Sequence, residues 1–259
     1  MGLSSNQKEE IRNLLINKIS NKLNKYARET SSMPFLAKLI QDSEKVAAYS
    51  FIHSIATTLG MSVYEEVSKI IAKKSAEEVS TKMDIGGVLS KDQKSSIGNI
   101  VRELRNNDRK VNKERETEEV LAANAEDGKP QKDGQIADFY MKRGGIEYYF
   151  EIKTVKPNID VFTKSKTKLL EWIARKRKAV KTILAFPYNP YYPDPYSRFT
   201  EQGLLEKGKE FLVGEEYWDF LGGKGTFKNL LEEFDLVGKK FKKKIVEKIK
   251  QVAKEKMNY

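Results

Sequence analysis

The feature that most constrains the fold of this chain is a change of hydrophobic period over residues 135–154. Alternate residues in this stretch share a chemical character, as in β-strands, where successive side chains point to opposite faces. Gly144-Gly145 divides the stretch, so we predict an antiparallel hairpin with a tight turn. The first strand carries Asp138, and the second carries Glu151 and Lys153 two positions apart on a single face.

Helical periodicity surrounds this hairpin. A spacing of three to four residues predicts helices from Ser5 to about Lys82, with a break at Gly60 and Ser62 as a helix N-cap. After the hairpin, residues 169–180 are predicted as a helix and residues 182–186 as a short buried strand. The order strand, strand, helix, strand predicts an α/β fold with a mixed central sheet flanked by helices.

The chain has no cysteine and a single histidine, which excludes several kinds of active site. A thiol nucleophile, a disulfide framework, Cys-ligated zinc, an iron–sulfur cluster and a multi-histidine metal site cannot be built. The remaining chemistry uses carboxylates, amines, hydroxyls or a metal held by oxygen ligands, which suits magnesium, manganese or calcium.

The charge balance points to a polyanionic partner. Lys and Arg number 48 against 37 Asp and Glu, a net charge of +11, as in nucleic-acid-binding proteins. A surface that is rich in lysine for reasons of genome composition or thermophily would give the same balance. The longest uninterrupted apolar runs are shorter than the roughly 20 residues of a membrane span, so we expect a cytoplasmic protein with no membrane association.

Asp138, Glu151 and Lys153 are the candidate catalytic residues. A hairpin can bring Asp138 beside the other two, and two carboxylates would hold a magnesium ion with the carbonyl of Ile152 as a further ligand. The metal would lower the pKa of a coordinated water, and Lys153 could orient the attacking water. The alternative is an exposed sheet face on which Glu and Lys only form cross-strand pairs.

These residues resemble the catalytic motif of PD-(D/E)XK nucleases. Ala137-Asp138 followed by residues 149–154, YFEIKT, is similar to that motif, and Glu-Ile-Lys-Thr is a form common among type II restriction endonucleases. The likeness extends over most of the chain and is greatest to the group that cuts GGNCC. Three further segments carry it: residues 51–65, 186–190 and 214–222.

The resemblance implies a restriction-endonuclease-like core at 111–259 that ends in a basic helical C-terminus, preceded by a helical N-terminal region at 1–110. It also implies that Asp138 and Glu151 bind Mg²⁺, with Mn²⁺ as a substitute, and that Lys153 is the catalytic lysine. The product would carry a 5′-phosphate. One departure is Ala137, which stands where the motif's name has proline.

Some members of this superfamily add a glutamate from an upstream helix. Glu65 is the candidate accessory acid here, and Glu118 and Glu119 compete for the same role.

DNA contacts are predicted on two segments that follow the catalytic strand. The first, residues 162–182, is strongly basic and could track the phosphate backbone, although a solvated helix face would have the same composition. The second, residues 187–198, is a loop rich in proline and tyrosine that could read bases or simply pack. The candidates are Lys156, Lys164, Lys168, Arg175 and Arg177 for phosphates, and Asn189, Asp194 and Arg198 for bases.

A palindromic target implies a homodimer with one active site per strand of double-stranded DNA. The resemblance also implies a cognate DNA methyltransferase as functional partner in a prokaryotic cytoplasm. Two alternatives stay open: a PD-(D/E)XK nuclease with a repair or structure-specific task, and a non-catalytic basic protein that binds nucleic acid.

Overall fold

The computed structural model describes residues 2–26, 34–154, 157–196 and 203–256. The chain divides into two compact units. The core unit comprises Ser68–Phe227, and the helical unit combines Gly2–Val67 with Lys228–Tyr259.

The helical unit is built from helices, and the core unit combines helices with strands. The first half of the chain contains α1 (Ser5–Lys25), α2 (Pro34–Ile40), α3 (Ser43–Thr58), α4 (Tyr64–Ala72), α5 (Lys91–Asn106) and α6 (Lys113–Ala122). The second half contains α7 (Ile159–Lys176), α8 (Glu215–Gly222) and α9 (Thr226–Lys256). Asn158 caps α7, since its side chain accepts a hydrogen bond from the N–H of Val161 at 3.0 Å.

A five-stranded mixed sheet forms the centre of the core unit, as the sequence predicted. Its strands, in spatial order, are β1 (Glu78–Asp84), β4 (Ile136–Arg143), β5 (Ile146–Ile152), β6 (Lys181–Phe186) and β7 (Phe211–Val213). The pairs β1–β4 and β4–β5 are antiparallel, whereas β5–β6 and β6–β7 are parallel. A separate two-stranded sheet pairs β2 (Val88–Leu89) with β3 (Lys129–Pro130).

Both faces of the β4–β5 hairpin are covered by helices. On one face the ring centroid of Tyr149 lies 6.4 Å from that of Trp172 of α7. On the other face Phe150 lies 5.9 Å from Tyr217 of α8. Glu151 is only 3% exposed, so the hairpin does not present the open, charged face that was the alternative interpretation of its sequence.

The compact units are divided at Ser68 and Phe227, and the boundary predicted at residue 110 between the N-terminal region and the catalytic core stays a prediction. The edge strand β1 lies within the region predicted to be helical, and it pairs with β4 so that Val79 faces Met141. Its sequence, EVSTKMD, is mostly polar and half-exposed, so it carries no clear alternation of apolar residues. Residues 228–259, predicted to end the catalytic core, belong to the helical unit.

Gly60 does not end a helix. Leu59–Val63 form a π-helical turn that joins α3 to α4, and the N–H of Tyr64 donates to the carbonyl of Leu59. Ser62 is therefore not an N-cap; its hydroxyl instead accepts a hydrogen bond from Lys18 Nζ at 2.9 Å.

Among the described residues, one helical run, Glu44–Ala72, is long and apolar enough to cross a membrane by length and composition alone. This differs from the expectation based on uninterrupted apolar runs, because the run combines three consecutive helical segments. The core helix of a water-soluble protein meets the same criterion; in this run Val63, Val67 and Ile71 are fully buried, whereas Ile52 and Met61 are exposed.

Candidate active site

Asp138 and Glu151 meet near the end of the β4–β5 ladder. Phe139 faces Phe150 in the last register pair at this end, and Asp138 lies one position beyond it. Oδ2 of Asp138 accepts a hydrogen bond from the backbone N–H of Ile152 at 2.7 Å. The hairpin thereby holds the Asp138 carboxylate beside the strand that carries Glu151.

Glu151 binds two ammonium groups. Its Oε1 pairs with Lys153, which follows β5, and its Oε2 accepts a hydrogen bond from Lys168 of α7. The Lys153 side chain is 37% exposed, so its amine lies between the buried carboxylate and solvent. The structure thus brings the three predicted catalytic residues together and adds Lys168, which the sequence had assigned to DNA phosphates.

The surroundings of Asp138 disfavour its charged form. Burial raises the pKa of Asp138, and the negative charge of Glu151 raises this pKa further. The N–H of Ile152 and the two lysines act in the opposite direction. A bound cation would relieve the repulsion between the carboxylates, as expected for a metal site.

The donor set fits magnesium. Carboxylate oxygens and a backbone carbonyl are hard ligands, which Mg²⁺ prefers. Across the described ranges, no group of three or more His, Cys, Asp or Glu side chains is arranged to hold a metal. Asp138 and Glu151 with the carbonyl of Ile152 stay the predicted protein ligands, and Mg²⁺ typically takes one or two carboxylates and keeps several waters.

The three candidates for the accessory acid lie in three different environments. Glu119 binds Arg109 and Arg115, at 2.8 and 2.9 Å. Glu118 lines a cavity of about 380 Å³ at the start of β6, the end of that strand remote from the predicted catalytic residues. Glu65 is buried in α4, within the helical unit, and its accessory role stays a prediction.

Arg175 has a structural role instead of the predicted DNA contact. Its side chain is buried, and its guanidinium donates to the carbonyls of Gln131 at 3.0 Å and Asp133 at 2.9 Å. Because these bonds tie α7 to the chain before β4, Arg175 is not available to phosphates. Lys164 and Arg177 are exposed, and Arg177 donates to the carbonyl of Ala125 at 3.1 Å.

The predicted base-reading loop is braced by one of its own candidates. The side-chain amide of Asn189 donates to the carbonyl of Asp194 at 2.7 Å and accepts from the N–H of Tyr191 at 2.9 Å. Asp194 itself is exposed. Lys156 and Arg198 lie outside the described residues.

A buried ionic cluster beneath α7 was missed by the sequence analysis. Lys166 is fully buried between Glu116 and Glu210, which are also fully buried. Lys113 joins the cluster through Glu210, whose Oε1 lies 3.6 Å from Lys113 Nζ, and it also donates to Thr182 Oγ1 at 2.7 Å. Burial lowers the pKa of Lys113 to about 8. The position of Lys166 four residues after Phe162 on an apolar helical stripe is the signal that could have identified it.

Comparisons of the sequence with known proteins identify its family. Residues 3–238 match the family model described as type II restriction endonuclease, HinfI. The chain is 30% identical over 225 residues to the type II restriction enzyme HgiCII of Herpetosiphon aurantiacus, covering 83% of this chain and 81% of that enzyme. It is 27% identical over 228 residues to HgiEI of the same organism, covering 84% and 81%.

A relative from a second organism gives a similar match. The type II restriction enzyme MjaII of Methanocaldococcus jannaschii is 28% identical over 210 residues, which is 73% of this chain. The matched region spans only 54% of MjaII, about half of its length. With the family model covering nearly the whole chain, the protein belongs to the HinfI family of type II restriction endonucleases, a class of deoxyribonuclease.

Proposed function

We propose that the protein is a magnesium-dependent, site-specific endonuclease that hydrolyses double-stranded DNA at a short palindromic site and leaves 5′-phosphates. The observation that supports this most directly is the convergence of Asp138, Glu151 and Lys153 at the end of the β4–β5 hairpin. GGNCC is the proposed target, on the basis of the resemblance in sequence.

Asp138, Glu151 and the Ile152 carbonyl would hold Mg²⁺, for which Mn²⁺ would substitute. When bound, the metal supplies a lower pKa for a water molecule and offsets negative charge on the transferring phosphoryl group. The Lys153 amine, partly exposed, orients the attacking water and stabilises charge that develops on the phosphate oxygens. Attack at phosphorus breaks the bond to the 3′ oxygen, which gives a 3′-hydroxyl and a 5′-phosphate.

The proposed phosphate contacts are Lys156, Lys164 and Arg177, and those proposed for base recognition are Asp194 and Arg198. Asn189 would serve recognition by fixing the shape of the loop. Phosphate contacts add affinity that is independent of sequence, whereas the loop would supply discrimination. Glu65 remains the proposed accessory acid.

A twofold-symmetric homodimer is the proposed assembly, since each strand of a palindrome then meets one active site. The functional partner would be a DNA methyltransferase that protects the same site. Both would act in a prokaryotic cytoplasm.

Digestion of plasmid DNA with Mg²⁺, followed by sequencing of the cut ends, tests the proposal. We expect discrete bands with 5′-phosphates at one palindrome, and we expect Lys153→Met to lose cleavage while it retains DNA binding. Smears or cutting at junctions would favour a repair or structure-specific nuclease. Absence of any Mg²⁺-dependent cleavage by the wild type would favour a non-catalytic DNA-binding protein.

A further inference from the structure

Glu151 has an ion-pair partner outside the Asp-Glu-Lys motif. We propose that Lys168 is a positioning residue of the active site, which holds the Glu151 carboxylate and tunes the affinity of the site for its divalent metal. This inference rests on the proposed function and adds a second lysine, from α7, to the site on the hairpin.

The surroundings of Lys168 fix its ammonium group at Glu151. It pairs with Oε2 of Glu151, while Lys153 pairs with Oε1, so the two oxygens are held separately. The same ammonium lies 5.2 Å from the ring centroid of Trp172, one helical turn further along α7. Trp172 is fully buried, and its indole N–H donates to the carbonyl of Gly134 at 2.7 Å, so the ring is itself immobilised.

Lys168 differs in this respect from its neighbours on α7. Its side chain is 23% exposed and directed at the active-site glutamate. Lys164, one turn earlier, is exposed, and Lys166 is fully buried in the ionic cluster. If these lysines served only to make the helix basic, all three would be expected to face solvent.

The sum of the charges at the site explains why a second lysine would be useful there. Two carboxylates and two ammonium groups sum to zero, so the buried site is neutral before a metal arrives. A divalent cation then leaves an excess of two positive charges, which matches a phosphodiester under attack by hydroxide, with its two negative charges. With Lys153 but without Lys168, the site with a bound divalent cation would have an excess of one positive charge, against the two negative charges of the phosphodiester and hydroxide.

Two opposite effects follow from this placement. Lys168 competes with a cation for Oε2 of Glu151 and repels it, so its removal should tighten Mg²⁺ binding. Its removal should also slow cleavage, since Glu151 loses its anchor and the site loses one positive charge. A lysine that only contacted phosphate would change the affinity for DNA and leave metal binding unchanged.

The experiment compares Lys168→Gln with Lys164→Gln, which removes the same charge from the same helix. Mg²⁺ binding is measured by calorimetry without DNA, and kcat and KM are measured by cleavage of a short duplex. For Lys168→Gln we expect roughly tenfold tighter Mg²⁺ binding and at least about tenfold lower kcat, with little change in KM. For Lys164→Gln we expect a raised KM and wild-type Mg²⁺ affinity.

Lys168→Arg keeps the charge and should return both Mg²⁺ affinity and kcat to within about threefold of the wild type. Lys168→Gln that behaves like Lys164→Gln, with unchanged Mg²⁺ affinity and a raised KM, would overturn the inference in favour of a phosphate contact. Asp138→Asn in the same titration separates the two proposals. If Asp138→Asn binds Mg²⁺ as the wild type does, the proposed metal site fails, whatever Lys168 does.

Discussion

The backbone N–H of Ile152 donates to Oδ2 of Asp138 over 2.7 Å, and this bond joins a proposed catalytic acid of β4 to the backbone of β5. The register pairs at this end of the ladder finish at Phe139 and Phe150. A side-chain oxygen therefore takes the place that a strand carbonyl would occupy as acceptor. The carboxylate proposed to bind metal also completes the end of the sheet.

Replacing Asp138 should separate these two roles. Asp138→Asn keeps an oxygen that can accept the bond from Ile152, whereas Asp138→Ala leaves the N–H unsatisfied. We expect both variants to lose at least about 100-fold in cleavage rate, and Asp138→Ala to be about 1–3 kcal/mol less stable than Asp138→Asn. Urea unfolding followed by circular dichroism measures the difference; equal stabilities would contradict a structural role for this bond.

Lys166→Met should destabilise the fold strongly. The substitution leaves the buried carboxylates of Glu116 and Glu210 without their shared ammonium group, and breaking a buried ion pair in this way costs about 3–5 kcal/mol. Lys164→Met on the exposed side of the same helix should change stability by less than about 0.5 kcal/mol. Urea unfolding of both variants is the measurement, and a similar small effect at both positions would show that the buried cluster contributes little.

Arg175→Lys should affect stability and leave DNA binding intact. A lysine cannot donate to the carbonyls of Gln131 and Asp133 in the forked geometry of a guanidinium. We expect a loss of about 1–3 kcal/mol, with wild-type DNA affinity for the folded protein in a gel-shift assay. Arg177→Lys is the exposed control. Weaker DNA binding by Arg175→Lys at unchanged stability would restore the original sequence-based assignment.

Asn189→Ala should loosen the loop over residues 187–196. The substitution removes the bonds to Asp194 and Tyr191 that brace it. We expect faster proteolysis within the loop and cleavage at near-cognate sites, while the rate at the cognate site stays within a few-fold of the wild type. Asp194→Ala keeps the carbonyl that Asn189 binds, so a change of specificity in this variant alone would assign base reading to the Asp194 side chain.

The hairpin could be predicted because its information is local. Strict alternation and the glycine pair at Gly144-Gly145 determine two strands, their turn and the shared face of Glu151 and Lys153. The edge strand β1 could not, because its mostly polar residues gain their order from pairing with β4, more than fifty positions away in the chain. The local sequence pattern of β1 contains no information about this distant partner strand.

The basic helix shows the same limit for the site. Lys164, Lys166 and Lys168 look equivalent as charges, yet they lie in solvent, in the core and at Glu151 respectively. Helical spacing from Phe162 and Trp172 separates their directions, but the acids that bind them come from distant segments: Glu210 is 44 positions from Lys166. A count of basic residues alone therefore predicts more DNA-contacting lysines than the structure leaves exposed on this helix.

The composition of the helical unit has a consequence for the order in which the protein can fold as it is synthesised. Leu3 donates its N–H to the Asn229 side chain at 3.0 Å across 226 positions, and Arg12 pairs with Glu233 at 2.8 Å. At about 5–20 residues per second, the ribosome releases these partners tens of seconds apart. The contiguous core unit, with the β4–β5 hairpin, is synthesised in full before the first helix of the other unit can meet the last.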